Sequence, residues 1–227
     1  MGIISRQEWL ARQQAREEMS NAPKVGYFGI KEDKGEAIVR FCYNSPEEFN
    51  YISVHKLNID GKYRNYNCIR DQDCTCPLCQ AGKKPSWRFY VQLIEYTKDE
   101  NGNIVATPKI WDRPASFADK LTSNFEEYGG LKDFVFKIKR NGKPGDMKTE
   151  YDVFFPNQTI YNSELYTYTG NEFEGYKILG GPVMNKDFAE LEAIASKLKP
   201  EETTDNSAPV YGRTENPTRN DFENLPY

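Results

Sequence analysis

The only histidine and four of the five cysteines of this 227-residue chain fall in one short stretch, and that clustering limits the fold more than any other feature. His55 is followed by Cys68, Cys74, Cys76 and Cys79, and the last two form a C-x2-C turn, Cys76-Pro77-Leu78-Cys79. A borderline-soft ion takes four nitrogen or sulfur ligands at tetrahedral corners, so one imidazole and three thiolates complete a set. Disulfides would need an oxidising compartment. Met1 to Met19 is polar and charged, with no apolar h-region, so reduced thiols in a cytoplasmic protein are expected. The stretch from Arg70 to Gln80 is too rich in Asp, Gln and Pro to be apolar core, which leaves metal binding as the use for its cysteines. The spacing predicts one structural zinc ion on His55, Cys68, Cys76 and Cys79. Cys74, two residues before Cys76, is left out of this set, and the competing assignment exchanges Cys76 for Cys74. Cys42 is expected as an ordinary core residue.

Four good ligands leave no open position for a catalytic water. The zinc deaminase signature needs a Glu two residues after the histidine and a P-C-x-x-C run; here Leu57 stands at the first place, and Pro77 follows Cys76 rather than preceding it. With one histidine committed to metal, Ser-His-Asp and Cys-His mechanisms fail as well. The chain does not read as an enzyme.

No run of about 20 apolar residues exists to cross a bilayer, and the length suits one domain with appendages. Residues 1–23 predict a polar helical arm, with Ser5 and Glu8 as a capping box and Glu8 to Arg12 as an i,i+4 ion pair. Residues 24–199 predict the core. There, Ala37, Val39, Phe41 and Tyr43 alternate with Ile38, Arg40 and Cys42, Tyr51 to Ile59 is a second strand carrying His55, and a zinc loop follows, to about residue 80. Trp87 to Thr97 predicts the longest strand, Asn101-Gly102 a hairpin turn, and Ile104 to Trp111 the returning strand. Ser116 to Tyr128 predicts a helix ended by Gly129-Gly130. Phe134 to Arg140 and Thr149 to Phe155 predict another hairpin, and Asn185 to Lys199 a last helix. This order fits a mainly β, α+β architecture: an OB-like antiparallel barrel with an inserted zinc-binding loop and flanking helices.

Charge distribution matters more than the net charge of −4. Residues 200–227 hold two arginines and six acidic residues, a balance of −4, and read as a disordered acidic tail; the remainder holds 28 basic and 28 acidic residues. In that neutral body, Lys137, Lys139, Arg140, Lys143 and Lys148 cluster, as do Lys56, Lys62 and Arg64 near the first ligand. Arg40 and Arg88 join them, and Tyr63, Tyr66, Trp87, Tyr90 and Trp111 are interleaved. Cations for phosphates and rings for unstacked bases are the means of holding a single strand, so these residues are expected to converge on one channel. On the Trp87 strand, Trp87 shares a face with Phe89, Val91 and Leu93, whereas Arg88, Tyr90 and Gln92 face the other way.

Taken together, His55-x12-Cys68, the Cys76-Pro77-Leu78-Cys79 knuckle, the Trp87 strand and the step from Lys109-Ile110-Trp111 to Leu121 resemble the single-stranded DNA-binding (helix-destabilising) proteins of the T-even-phage type over residues 36 to 155. The resemblance implies an OB fold with a zinc subdomain and a basic cleft that coats unpaired DNA, without sequence specificity, during replication, recombination and repair. It also implies an N-terminal arm for self-contact and an acidic tail that recruits replication and recombination proteins. The arm here has three basic and three acidic residues and lacks the family's basic Ser/Thr-containing patch. The tail ends in Asp221, Phe222, Glu223, Asn224, Leu225, Pro226 and Tyr227, similar to the acidic tips of bacterial single-stranded DNA-binding proteins. A zinc-stapled scaffold for other proteins, or a single-stranded RNA binder, are the competing functions.

Overall fold

The computed structural model describes residues 5–21, 25–70, 75–146, 149–161 and 164–198. Among them the fold is mainly β, a mixed sheet of nine strands with four helices. No described helix is long and apolar enough to cross a membrane.

Helix α1 (Arg6–Asn21) begins where expected: Ser5 Oγ accepts from the Glu8 amide at 3.2 Å, and Arg12 pairs with Glu8 at 3.2 Å. Its Trp9 and Leu10 are exposed. The sheet is organised around β5 (Ser86–Lys98). One edge of β5 pairs antiparallel along its length with β6 (Ile104–Pro114). Its other edge pairs first with β3 (Tyr51–Ile59) and then with β2 (Glu36–Phe41). Strand β2 continues to β7 (Phe136–Asn141) and β7 to β8 (Glu150–Phe154). The β5–β6 turn lies at Asn101-Gly102, where Gly102 takes φ 84° and Asp99 Oδ1 accepts from the amides of Asn101 and Asn103. The two-residue β1 (Gly26–Tyr27) lies parallel to β6.

The sequence reading has a loop after β3, but the chain forms another strand there, β4 (Lys62–Asn67), paired antiparallel with β3. Asp60-Gly61 makes the turn, with φ 52° and 76°, the positive pair a two-residue hairpin of matching twist requires. The knuckle forms the short helix α2 (Pro77–Gln80) with Pro at its first turn. Two-residue β9 (Val183–Met184) extends the sheet beside β4. Helix α4 (Phe188–Ala195) is shorter than expected because Asp187 and Glu190 form a reciprocal capping box that sets its start.

One face of β2, β5, β6 and β7 packs under α3 (Phe117–Tyr128), burying Phe41, Phe89, Leu93, Trp111, Leu121 and Phe136. The other face is covered by the irregular segment between β8 and β9, whose Tyr161, Tyr166, Tyr168, Phe173 and Tyr176 pack over Ile94, Tyr96, Tyr90 and Ile110. Strand β5 is therefore buried on both sides at its centre.

That cover corrects the expectation for Arg40. Its guanidinium is buried and donates to Tyr96 Oη (2.9 Å), the Lys132 carbonyl (2.7 Å) and the Tyr166 carbonyl (3.0 Å), so it ties the covering segment to the sheet. Arg40→Lys keeps the charge and loses the fork, and unmet buried carbonyls cost about 1–3 kcal/mol. The variant is expected to lose stability of that order in urea denaturation.

Candidate metal centre and adjoining clefts

His55, Cys68, Cys76 and Cys79 offer one imidazole nitrogen and three sulfurs, all within 4.8 Å of one another, and this group could hold one metal ion. Strand β3 supplies His55, the residue following β4 is Cys68, and the knuckle supplies the other two. Sequence separation explains the knuckle: with Cys76 as N-cap and Pro77 following, one helical turn brings Cys79 back beside Cys76. His55 Nε2 lies 3.5 Å from Cys76 Sγ and 3.7 Å from Cys79 Sγ, and the sulfurs of Cys68 and Cys79 are 3.7 Å apart. Cys74 lies outside the described residues.

The electrostatics suit a cation. Desolvation works to raise the Cys76 thiol, but backbone amides of Ile69, Cys79 and Leu78 outweigh it and hold the pKa below the ordinary thiol value. Burial, together with Cys68 and Cys76, pushes the Cys79 thiol up to about 12. Sulfurs this close raise one another's cost of ionisation, and a bound ion removes that cost. Desolvation lowers the His55 pKa, partly offset by the Lys83 backbone, which favours the neutral imidazole that ligates metal. Cys42 sits apart, half-buried, with its thiol raised to about 12 mainly by burial.

The channel expected from sequence divides in two. Along β3 and β4, side chains alternate between faces, so His55, Leu57 and Tyr66 turn towards the knuckle while Lys56, Tyr63 and Asn65 turn the opposite way. Lys56, Tyr63 and Arg64 are exposed and line an open cleft of about 530 Å³ together with Tyr27, Asn65 and Tyr176. Lys56 Nζ lies 5.3 Å from the centre of the Tyr63 ring. Lys62 is exposed at the hairpin tip. Trp87, 54% exposed, instead lines a second cleft with Tyr51, Cys68 and Phe188.

Three aromatic expectations are overturned by burial. Tyr66 packs with Leu57, Ile69, Leu78 and Leu191 in the metal lobe. Tyr90 is 1% exposed, under the first cleft. Trp111 is held edge-on by Phe28, Phe117 and Tyr151. None can stack on a base.

Several cations are also committed. Arg88 pairs with Asp112 at 2.7 Å. Lys137 and Lys139 meet Glu36 at 3.2 Å and 3.8 Å. Arg140 donates to the carbonyls of Gly142, Ile30 and Lys143 and to Thr149 Oγ1, so it shapes the β7–β8 loop rather than a binding surface. Lys143 is exposed, while Lys148 and the tail residues 221–227 lie outside the described residues. Sequence reasoning missed Tyr27, Asn65 and Tyr176. A two-residue strand and an irregular segment carry no periodic signal that would reveal them.

No protein-family model matches this chain, and no curated protein matches it.

Cys76→Ser is expected to lower bound metal from one ion per chain to near zero by elemental analysis and to unfold the knuckle. Acid acts in the same direction. With the folded His55 pKa below the unfolded 6.5, the unfolded chain takes up the proton first. Stability of the metal-free protein should therefore decline as pH falls from 6.5 towards the folded value, measured by denaturation at several pH values.

Proposed function

We propose that this protein is a zinc-stapled binder of single-stranded DNA, which it coats without reading extended sequence in the cleft beside the β3–β4 hairpin. The observation that carries the reading is the meeting of Lys56, Arg64, Tyr63 and Tyr27 around one open cleft. Cations at that rim suit phosphates, and exposed phenol rings suit unstacked bases, each stack contributing about 1–3 kcal/mol. A protein that holds only the open strand favours melted DNA by mass action, with no nucleotide hydrolysis.

Zinc is favoured by the donor spacing. Zn–S bonds of about 2.3 Å and Zn–N bonds of about 2.0–2.1 Å give tetrahedral edges of about 3.8 Å between sulfurs and about 3.6 Å between sulfur and nitrogen. The separations of 3.7 Å for Cys68–Cys79 and 3.5 and 3.7 Å from His55 fit those edges. The ion would be structural, with all four positions filled by the chain, cross-linking a lobe with a small apolar core.

The strand connections support an OB-type reading. Strands β2 and β3 together form the first edge, β5 and β6 continue the meander, α3 intervenes, and the β7–β8 hairpin returns to β2. The gap between β8 and β6 is bridged by the rings of Tyr151 and Trp111, 5.0 Å apart, as in a partly open barrel. Exposed Trp9 and Leu10 on α1 suit self-contact through the arm, and the acidic tail 200–227 suits recruitment of replication and recombination proteins.

Titration of a short labelled oligonucleotide by fluorescence anisotropy tests the reading. Affinity should fall with salt at a log–log slope of roughly −0.7 per phosphate contacted. Lys56→Ala with Arg64→Ala should make that slope shallower, whereas Lys137→Ala with Lys139→Ala, already paired with Glu36, should change it less. Duplex bound as tightly as single strand, or binding indifferent to salt, would defeat the proposal.

A further inference from the structure

The floor of the Lys56–Tyr63–Arg64 cleft is not a neutral apolar surface. Asn65 lines it, on the same side of the β3–β4 ribbon as Lys56 and Tyr63. Its amide nitrogen donates to Tyr90 Oη at 2.9 Å and to Asp112 Oδ2 at 3.5 Å. Asp112 selects this orientation, because the carboxylate, whose other oxygen accepts from Arg88 Nε at 2.7 Å, offers Asn65 acceptors only. Reversing the amide would set its carbonyl oxygen against that carboxylate. Both N–H groups are thus committed beneath the cleft, and no described residue donates to the carbonyl oxygen.

A half-buried chain of Arg88, Asp112 and Asn65 therefore presents one oriented acceptor in a cleft that two exposed phenol rings also line. Burial and the nearby Asp112 charge also raise the Tyr27 pKa and keep that phenol neutral. The cleft combines a cationic rim with an electronegative floor, and a nucleotide has the reverse order, phosphate outside and base edge inside.

We infer that Asn65 is a specificity-determining residue: its carbonyl oxygen accepts a hydrogen bond from an exocyclic amino group, so the cleft prefers cytosine and adenine to uracil and thymine. The inference rests on the proposed single-strand reading and deepens it. Cytosine carries its amino hydrogens at the end of the pairing edge, where they reach an acceptor without other groups intruding. Uracil has a carbonyl at that place, which meets the Asn65 oxygen as like against like, and its single N–H is flanked by two such carbonyls. Stacking on Tyr27 and Tyr63 admits every base, so the selection is a bias laid over general binding.

Matched oligomers of deoxycytidine and deoxyuridine isolate the amino group, since the two bases are nearly the same size and share the backbone. One neutral hydrogen bond contributes about 0.5–1.5 kcal/mol, so the wild-type chain should hold the cytidine oligomer roughly two- to thirteenfold more tightly. Methylating both amino hydrogens of the cytidines should erase the advantage with no change to the protein. Asn65→Leu should give equal affinity for the two oligomers, with the salt slope unchanged and metal content intact. Equal affinity in the wild type, or a cytidine preference that survives in Asn65→Leu, would overturn the inference while leaving general binding in place. Failure to bind either oligomer by protein that retains its metal would overturn the single-strand reading itself, and the selectivity with it.

Discussion

The convergence of one imidazole and three sulfurs is the constraint on which the rest of the molecule depends. It joins the middle of β3, the chain just after β4 and the α2 knuckle, three segments whose shared apolar core is little more than Leu57, Tyr66, Ile69, Leu78 and Leu191. Buried and half-buried thiols in mutual contact, one pushed up to about 12, are poorly placed without a cation and well placed around one. Strand alternation then transmits the constraint. His55 and Lys56 are neighbours on β3 and point to opposite faces, so fixing the imidazole on one side fixes the direction of the cation on the other. A lobe that could hold a metal ion and a candidate nucleic-acid cleft are in this way two faces of one hairpin.

The sheet uses both of its surfaces, which explains why so many aromatic residues are unavailable to a ligand. The α3 side absorbs Trp111 among phenyl rings, and the Arg113 guanidinium lies 4.6 Å from Tyr151 and 5.0 Å from Trp111. On the opposite side, the tyrosine-rich segment before β9 covers Tyr90 and Tyr96 and is tied down through Arg40. Rings bury large areas with specific edge-to-face contacts, so a long, doubly covered strand such as β5 draws them inward. Among the described residues the exposed rings include Tyr27 and Tyr63 at one cleft and Tyr51, Trp87 and Phe188 at the other, with Trp9 on α1 and Phe154 on β8 away from both.

Much of the secondary structure was legible because it follows from local periodicity. Strand β3 spans the expected residues, β5 and the Asn101-Gly102 turn follow the alternation, and α3 ends at Gly129 as its C-terminal glycine predicts. Strand β4 had a signal too, Asp60-Gly61, but Lys62–Asn67 is too polar to announce itself by hydrophobic alternation. Strands β1 and β9, two residues each, have no local signature and exist only because β6 and β4 offer free edges. The cations were harder to place. Lys137 and Lys139 look like a basic patch in the chain, yet Glu36 comes to them from more than a hundred residues away through β2–β7 pairing, and Arg140 closes on its own loop.

By itself, the sequence narrowed the donor set to His55, Cys68, Cys79 and one of Cys74 and Cys76, and it determined the alternation of the long strands and the placing of the net negative charge in residues 200–227, since each depends on residue type and short spacing. Only the tertiary structure decided which cations stay unpaired, which rings stay exposed and that Asn65 becomes an oriented acceptor above Asp112 and Tyr90. Those outcomes turn on long-range strand pairing and on which face a neighbouring segment covers, and neither is written in the spacing of any one stretch of chain.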